Sequence, residues 1–343
     1  MPQRTPMEEG FRQPAEWEPH AACWVAWPES EELWEEELGP AQEAFVGMCR
    51  AIAEGERLEV LVPDARRERE AASALAGLSA RFHRIPYGDI WLRDTAPIFV
   101  RDERGEVASV SFRFNGWGHK YQLPHDDQVA ARVADTSGLR AFRFPFVLEG
   151  GSVEPDGEGT LLTTRQCLLN PNRNPGMSEV ELEHGLRNAL GATRVLWLDQ
   201  GLLNDHTDGH VDTIARFVAP GVVVCMRPSG SDDPNRDALE AIARALSVMS
   251  DARDRRLEVV RVPSPGLVED LDGTPMPASY VNFYIGNRAV VVPTYGTGCD
   301  DEAVQTIAAL FPGRRTIGVP AIAILAGGGA FHCITQQQPR GSR

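Results

Sequence analysis

The sequence predicts an α/β fold in which one unit of two or three strands and a helix is repeated around a centre. The first observation is that apolar runs ending at a proline or an aspartate recur roughly every 60 residues. The second is that a polar signature follows each of these runs. Such recurrence is typical of repeat proteins, and short strands plus a helix per unit are typical of radial, propeller-like assemblies.

Five copies of this pattern can be followed along the chain. In a ring, the five polar signatures would converge on one central cavity. The alternative, a doubly wound α/β sheet, gives no reason for polar residues at equivalent points. The apolar runs end at Ile85-Pro86, Phe144-Pro145, Leu198-Asp199, Val262-Pro263 and Val319-Pro320, and the signatures after them are Asp89–Asp94, Glu149–Ser152, Asp208–Asp212, Ser279–Asn282 and Gly329–Cys333.

The individual elements follow from apolar periodicity and from the residues that interrupt it. Short apolar runs closed by proline predict strands, because proline donates no hydrogen bond to a sheet. Apolar residues at helical spacing predict the helices. In chain order, the predicted elements are the strand Ala22–Trp27, the helix Pro40–Glu54, the strand Leu58–Val62, the helix Arg66–Leu78, the strand Arg81–Ile85, and the helices Asp127–Thr136, Ser178–Leu190, Pro234–Met249 and Asp300–Phe311.

The chain is predicted to form a single domain over residues 1–343, because no linker, low-complexity segment or charge run divides it. Residues 1–16 and 340–343 are expected to be poorly ordered tails. Pairing of a C-terminal strand near Cys333 with the N-terminal strand near Trp24 would close the ring and leave no sheet edge exposed.

Composition restricts the class of partner. The chain carries 49 acidic and 34 basic residues, a net charge of −15. Nucleic acid is therefore not expected to bind, and a small cation is a more natural ligand. No apolar stretch resembles a secretion signal or reaches the roughly 18 residues of a membrane span. We expect a cytoplasmic protein without a membrane partner, and a homo-oligomer is compatible with the sequence.

Six scattered cysteines form neither a CxxC pair nor a zinc-like spacing. In an intracellular protein of this size they are expected to be free thiols. Cys23, Cys49 and Cys225 lie within apolar runs and are predicted to be inert. Cys333 differs because it follows three glycines, Gly327–Gly329, which leave bare backbone for a ligand to approach.

The signatures also carry groups that chemistry could use. Apolar neighbours predict that their carboxylates are buried, and a buried carboxylate is costly unless a cation or a donor meets it. A bound cation would supply that partner. The groups are Trp91 and Asp94 in the first signature, Glu149 in the second, Asp208, His210 and Asp212 in the third, and His332 with Cys333 in the fifth.

Carboxylates, an imidazole and a thiol around a cation favour chemistry on a guanidinium. Asp208, His210 and Asp212 alternate, so on a strand they would share one face. Carboxylates bind the planar guanidinium best, and a thiolate can attack its carbon. His210 could protonate the departing nitrogen and then activate a water, while Trp91 could stack on the cation.

Six motifs extend this pattern over nearly the whole chain, from about Trp17 to Pro339. They are Trp91–Pro97, Phe114–Gly118, Leu148–Gly151, Gly209–Asp212, Ala278–Ile285 and Gly327–Gln337. Together they resemble the agmatine deiminase family, which is grouped with the porphyromonas-type peptidyl-arginine deiminases among the guanidine-modifying enzymes. The resemblance implies a five-bladed α/β propeller, or pentein, of ββαβ-type modules with pseudo-fivefold symmetry.

The resemblance also implies a reaction and roles for four residues. The expected reaction is hydrolysis of agmatine to N-carbamoylputrescine and ammonia through a covalent thiouronium, in the synthesis of putrescine and other polyamines from arginine. No metal and no organic cofactor would be needed. By resemblance, Cys333 is the nucleophile, His210 is the general acid and base, and Asp94 and Asp212 clamp the guanidinium.

Further residues are expected to bind substrate. By resemblance, Trp91 and Glu149 belong to the pocket, with Glu149 also near His210, and Gly328 and Gly329 would let the substrate lie against backbone. Asp208 is included for its place on the predicted strand face. The sequence departs from the family at Ala330-Phe331, at Asp205–Asp208, and at Arg113, where a small residue is usual. Arg113 is the candidate partner for a substrate carboxylate.

Three alternatives stay open on the sequence alone. The same chemistry could act on free or peptidyl arginine or on another guanidino compound. A protein that binds guanidinium or polyamines without catalysis would need the same carboxylates. A cysteine protease is the least favoured, because it needs oxyanion donors and has no use for two carboxylates around its nucleophile.

Overall fold

The computed structural model describes residues 4–342, and its strands fall into five separate sheets. The strands are β1 His20–Ala26, β2 Arg57–Val62, β3 Ala80–Arg84, β4 Ile98–Arg101, β5 Val107–Arg113, β6 Arg140–Val147, β7 Glu154–Pro155, β8 Thr160–Thr164, β9 Arg194–Leu198, β10 Ala215–Ala219, β11 Val222–Arg227, β12 Glu258–Pro263, β13 Tyr284–Ile285, β14 Ala289–Thr294, β15 Arg315–Pro320 and β16 Gln336–Pro339.

Helices connect and flank these sheets. The α-helices are α1 Glu31–Trp34, α2 Leu38–Ile52, α3 Ala65–Ala74, α4 Leu92–Thr95, α5 Gly116–His119, α6 Asp126–Ser137, α7 Arg165–Leu168, α8 Glu179–Leu190, α9 Arg236–Ser247, α10 Asp300–Leu310 and α11 Ile322–Ala326, and 3-10 turns occupy Met7–Glu9, Glu35–Glu37, Gly150–Ser152 and Val211–Thr213. Within residues 4–342, no helix combines the length and the apolar character that crossing a bilayer requires.

Four of the sheets share one topology. The first strand runs antiparallel to the second, and the second runs parallel to the third. A parallel pair needs a crossover connection, and one helix supplies it in each of these four sheets. In chain order, the crossover helices are α6, α8, α9 and α10. The sheets are β4-β5-β6, β7-β8-β9, β10-β11-β12 and β13-β14-β15.

The fifth sheet joins the two ends of the chain. Its order is β16-β1-β2-β3, and β16 pairs antiparallel with β1, with Trp24 opposite Gln336. The predicted pairing of the chain ends is therefore confirmed. The C-terminal strand begins at Gln336, so Cys333 lies in the turn before it rather than within the sheet.

The predicted strands and helices are observed to within a few residues. Each of the five apolar runs is the last strand of its sheet, namely β3, β6, β9, β12 and β15. This explains the recurring pattern, because each polar signature follows the point where the chain leaves a sheet. The doubly wound alternative is wrong, since the strands form five separate sheets instead of one continuous one.

The N-terminal segment packs against the body of the protein. Phe11 is buried against Phe142, with ring centroids 5.8 Å apart. The backbone of Arg12 pairs with that of Arg101, and the Glu16 side chain is only 3% exposed. The prediction of a poorly ordered tail is therefore wrong for residues 4–16, because its apolar and ionic side chains find partners.

The C-terminal residues are also anchored. Arg340 donates a backbone hydrogen bond to Pro19, and Ser342 donates one to Gly105. The predicted tail over residues 340–343 is thus wrong for residues 340–342. Residues 1–3 and 343 of the two predicted tails lie outside the described residues.

Candidate active site

The five polar signatures meet, as the sequence predicts. Hydrogen bonds connect the signatures that follow the last strands of different sheets. The connecting bonds run from Gly151 N to Asp94 Oδ1 (2.9 Å), from Asn282 Nδ2 to Asp212 O (3.3 Å), from His332 N to Asn282 O (3.1 Å) and from Arg93 N to Cys333 O (3.1 Å).

Cys333 lies at the centre of this arrangement and is 5% exposed. Its Sγ is 3.3 Å from Asn282 Oδ1 and 3.7 Å from Asp212 Oδ2. Burial, together with the charges of Asp212 and Asp94, raises the pKa of the Cys333 thiol well above its usual value. The thiol is therefore protonated at neutral pH in this structure.

Asp94 is held by two donors. It lies on the short helix α4, where its Oδ1 accepts from Gly151 N and its Oδ2 accepts from Trp117 Nε1 at 2.8 Å. His210 Nδ1 is 3.8 Å from the same Oδ2. Burial and neighbouring carboxylates, including Asp212, raise the pKa of Asp94 despite the attraction of His210. His210 is thus the cation that partly offsets the burial of this carboxylate.

The pKa of Asp212 is shifted in the opposite direction to that of Asp94. Its Oδ2 lies 2.6 Å from His332 Nδ1. Burial opposes ionisation of Asp212, but the hydrogen bond and charge of His332 outweigh it and lower the pKa. Asp212 Oδ1 is buried and has no hydrogen-bond partner among the described residues. One oxygen is thus fixed, and the other is free to meet a ligand.

His210 is fully buried, close to Asp94, Glu149 and Cys167. Burial disfavours its charged form, but Asp94, Cys167 and Glu149 outweigh burial and raise its pKa well above the usual value. The ring therefore carries its proton at neutral pH. Neither ring nitrogen has a hydrogen-bond partner within the described part of the chain.

Glu149 lies behind His210 rather than in the wall of the cavity. Its Oε1 accepts from Arg173 Nε at 2.6 Å, and both side chains are fully buried. The predicted proximity to His210 is observed: ligand atoms of Glu149, Cys167 and His210 all lie within 4.8 Å of one another. These three could hold a metal ion, although Arg173 already neutralises the carboxylate. The prediction that Glu149 lines the substrate pocket is not supported by its position.

Asp208 does not join the site. The prediction that Asp208, His210 and Asp212 share a strand face is wrong, because the segment is a loop entering a 3-10 turn. Asp208 and Gly209 have φ of 65° and 84°, which turn the chain between the two acids. Asp208 instead binds Arg173 at 2.7 Å and lies outside the cavity wall.

A cavity of about 240 Å³ leads down to Cys333 and Asp94. Trp34 and Trp91 form one wall, with ring centroids 6.1 Å apart and planes inclined by 24°. Both indoles donate their Nε1–H to Asp89, at 2.9 and 2.7 Å. The remaining wall is formed by Leu33, Trp117, Tyr121, Leu123, His206, Thr207, Ala326, Gly327 and Gly328.

The glycine run makes room for these indoles. A Cβ at Gly327 would lie 2.7 Å from the Trp34 ring, and one at Gly329 would lie 2.8 Å from Trp91 and 3.0 Å from Cys333 Sγ. Gly328 lines the cavity, as expected. Gly329 contacts Trp91 and Cys333, and its contact with substrate stays a prediction.

One of the three departures from the family pattern reaches the cavity: His206 and Thr207 of the Asp205–Asp208 segment line it, whereas Arg113 and Ala330-Phe331 do not. Arg113 is exposed at the end of β5 and is not part of the cavity wall, so it cannot receive a substrate carboxylate there. Ala330 and Phe331 are buried at 2% and 0% exposure. Both therefore pack into the interior below the site.

Comparison with known proteins agrees with this geometry. Residues 12–339 match the family of Porphyromonas-type peptidyl-arginine deiminases. This chain belongs to that family. Agmatine deiminases of Pseudomonas aeruginosa and Ectopseudomonas mendocina are 41% and 42% identical, with 98% of this chain and 98% and 97% of theirs aligned. The solved structure of the Enterococcus faecalis agmatine deiminase superposes with a TM-score of 0.93, at 34% identity over 99% of each chain.

Several residues of this family member's site were missed by the sequence prediction. Asn282 contacts Cys333. It belongs to the fourth polar signature, to which the sequence analysis assigned no role, although the equivalent signatures all carry site residues. Trp117 lies in the Phe114–Gly118 motif. Trp34 and Glu16 carry no sequence signal, because their contacts are made by segments far away in the chain.

Gly151→Ala should disable the site. The new Cβ would lie 2.6 Å from His210 Nδ1, 3.0 Å from Asp94 Oδ1 and 3.1 Å from Asp212 Oδ2. We expect kcat/KM to fall by at least about a hundredfold, because small misplacements of catalytic groups have such effects. Gly39→Ala, on open helix α2, is the control and should leave kcat/KM unchanged. Equal kinetics in the two variants would contradict the close packing around Gly151.

Proposed function

We propose that this protein is an agmatine deiminase, which converts agmatine and water to N-carbamoylputrescine and ammonia. One observation carries the proposal: Cys333 and the buried Asp94 line a small cavity, and a second buried carboxylate, that of Asp212, lies 3.7 Å from Cys333 Sγ. A guanidinium is the cation that fits a pair of carboxylates next to a nucleophile. The agmatine deiminases among its relatives support the same substrate.

Binding of the guanidinium activates the thiol. The cation would lie between Asp94 and the free Oδ1 of Asp212, with Trp91 along its side. Its positive charge offsets the two carboxylates that raise the pKa of Cys333, so the thiol can release its proton to solvent and form the thiolate. The cation also repels the proton on His210, which makes the imidazolium a stronger acid.

Two additions to the guanidinium carbon complete the reaction. In the first, Cys333 Sγ forms a bond to the carbon, His210 gives its proton to one nitrogen, and ammonia leaves a thiouronium on Cys333. In the second, the now neutral His210 takes a proton from a water molecule while the oxygen of that water attacks the same carbon. The C–S bond then breaks and the oxygen-bound proton passes to solvent, where ammonia takes it up; this releases the neutral ureido product and restores the thiolate. Asp94 and Asp212 stabilise the positive charge throughout.

The cavity favours a substrate with a cationic tail. Of the described residues that line it, two are carboxylates, Asp89 and Asp94, and none is lysine or arginine. The carboxylate of arginine would therefore enter without a cation to meet it, at a considerable desolvation cost. With a volume of about 240 Å³, the cavity suits a small molecule more than a peptide.

A substrate panel tests this preference. We expect kcat/KM for agmatine to exceed that for arginine by at least about a hundredfold, with butylguanidine, which lacks the tail amine, in between. Ammonia release and formation of the ureido product should be measured for each compound, with a peptide ending in arginine as a fourth. Preference for free or C-terminal arginine would displace agmatine as the substrate.

We further propose that the five sheets are the blades of a five-bladed α/β propeller of pseudo-fivefold symmetry, which forms one domain over residues 1–343. The common sheet topology, the pairing of β16 with β1 and the hydrogen bonds between neighbouring signatures support this arrangement. The six cysteines are free thiols, which supports a reducing compartment such as the cytoplasm.

A further inference from the structure

An ionic cluster lies directly beneath the proposed site. His332 is at its centre, with 2% of its side chain exposed: its Nδ1 is 2.6 Å from Asp212 Oδ2 and its Nε2 is 2.8 Å from Glu16 Oε2. A hydrogen bond to two ionised carboxylates requires a proton on both ring nitrogens. The geometry therefore calls for the imidazolium form of His332.

Charge balance supports the same protonation state. Arg216 Nη2 is 3.0 Å and Arg93 Nη2 is 3.4 Å from Glu16 Oε2, and Arg216 Nε is 2.7 Å from Glu154 Oε2. With His332 charged, three cations meet three carboxylates: Glu16, Glu154 and Asp212. A neutral His332 would leave the buried cluster with an unpaired negative charge, which is costly.

Glu16 is rigidly held in this cluster. Its Oε1 accepts from Ile285 N at 2.7 Å, while its Oε2 faces His332 and the two arginines. Burial opposes ionisation of Glu16, but Arg216, His332 and Arg93 outweigh it and lower its pKa well below the usual value. Glu16 is thus a fixed negative charge that can keep a proton on His332.

We propose that Glu16 and His332 are positioning residues for the deimination reaction: the charged imidazole holds one oxygen of Asp212 and leaves the other aimed at the guanidinium. The inference rests on the proposed function for its kinetic consequences only. Asp212 Oδ1 is the oxygen left without a hydrogen-bond partner in the described chain, whereas Oδ2 faces both His332 and Cys333 Sγ. In this proposal, the segment before β1 contributes to catalysis through the contact between Glu16 and His332. The two residues are 316 positions apart in the sequence.

Glu16→Gln tests the charge with little change in shape. We expect kcat/KM for agmatine to fall about 10- to 100-fold, as for other carboxylate–histidine pairs behind a reactive group. The acid limb of the pH–rate profile should move to higher pH, because Asp212 loses the cation that keeps it ionised. The other charged or titratable groups that act on Asp212, namely Asp94, His210, Cys333 and Arg216, are all retained in this variant.

Glu154→Gln is the matched control. Glu154 is buried to the same extent as Glu16 and binds Arg216, but it makes no hydrogen bond to His332. A purely structural role for the cluster would make both variants lose stability and activity alike. We expect the acid limb to move much further in Glu16→Gln than in Glu154→Gln, and equal shifts would overturn the proposal.

Nitrogen-15 NMR of histidine-labelled protein provides a readout that does not depend on turnover. We expect both nitrogens of His332, assigned with His332→Gln, to be protonated in the wild type at pH 7, and Glu16→Gln to show a neutral ring. A neutral His332 in the wild type would overturn the proposal even if agmatine is hydrolysed. Charged His332 in a wild type that is inactive on agmatine would refute the proposed function instead. If Glu16→Gln does not fold, the wild-type spectrum still tests the charge on His332. The shorter side chain of His332→Asn removes the contact with Glu16, so an unchanged acid limb of the pH–rate profile in this variant would overturn the proposal.

Discussion

Cys333→Ser is expected to abolish turnover of agmatine, lowering kcat by more than about a thousandfold. A serine hydroxyl in this position is far harder to ionise than a thiol, and the guanidinium carbon is a weak electrophile. The site that binds the cation is unaffected, because Asp94, Asp212 and Trp91 are retained. We therefore expect the variant to bind agmatine and to melt close to the wild type, since the side chain is buried and nearly isosteric.

Cys299→Ser is the control for this experiment. Cys299 is the only cysteine that is not fully buried in the described chain, and it lies outside the cavity wall. It should retain wild-type kinetics. Ammonia release by Cys333→Ser at the wild-type rate would exclude Cys333 as the nucleophile and would leave a guanidinium-binding site whose chemistry comes from another group.

Asp94→Asn and Asp212→Asn should both lose activity, by at least about a hundredfold, but should differ in stability. The folded state raises the pKa of Asp94 above its unfolded value, so ionised Asp94 opposes folding at neutral pH. Removing its charge relieves that effect, although a hydrogen bond with Trp117 is perturbed. We expect the melting temperature of Asp94→Asn at pH 7 to stay close to that of the wild type.

For Asp212, the effect of ionisation on the free energy of unfolding has the opposite sign. The folded state lowers its pKa, so ionised Asp212 stabilises the protein above the unfolded value of about 4, and this stabilisation is lost as pH falls through the folded pKa. Asp212→Asn should therefore melt well below the wild type at pH 7, and the difference should shrink in acid. Thermal melts of both variants between neutral and acidic pH measure this. A larger loss of stability in Asp94→Asn would contradict the assigned environments of the two carboxylates.

The sequence identified the repeating unit because each sheet ends in a run that a proline or an aspartate closes. Proline ends strands for a local reason, so runs such as Val262-Pro263 and Val319-Pro320 are visible without any tertiary contact. The same local signals place Cys333, His210, Asp94 and Asp212 in the turns that meet at the centre. Their convergence in the structure follows from the topology of the sheets.

What could not be predicted depends on contacts that carry no local signal. Asp208 was misplaced because a positive φ at Asp208 and Gly209 breaks the strand alternation, and that conformation is set by its bonds to Arg173 and Lys120. Glu16 was assigned to a tail because its polar, proline-rich surroundings resemble one. Only the folded structure shows that Glu16 contacts His332, which lies near the other end of the sequence.

Peptide mass spectrometry of enzyme quenched in acid during agmatine turnover tests the central claim most directly. We expect the peptide that contains Cys333 to carry an added mass equal to agmatine less one ammonia, in an amount that rises within the first turnover and falls as substrate is exhausted. Prior alkylation of Cys333 should prevent both the adduct and the release of ammonia. An adduct on another cysteine, or ammonia release that persists after Cys333 is alkylated, would contradict a covalent mechanism on this residue.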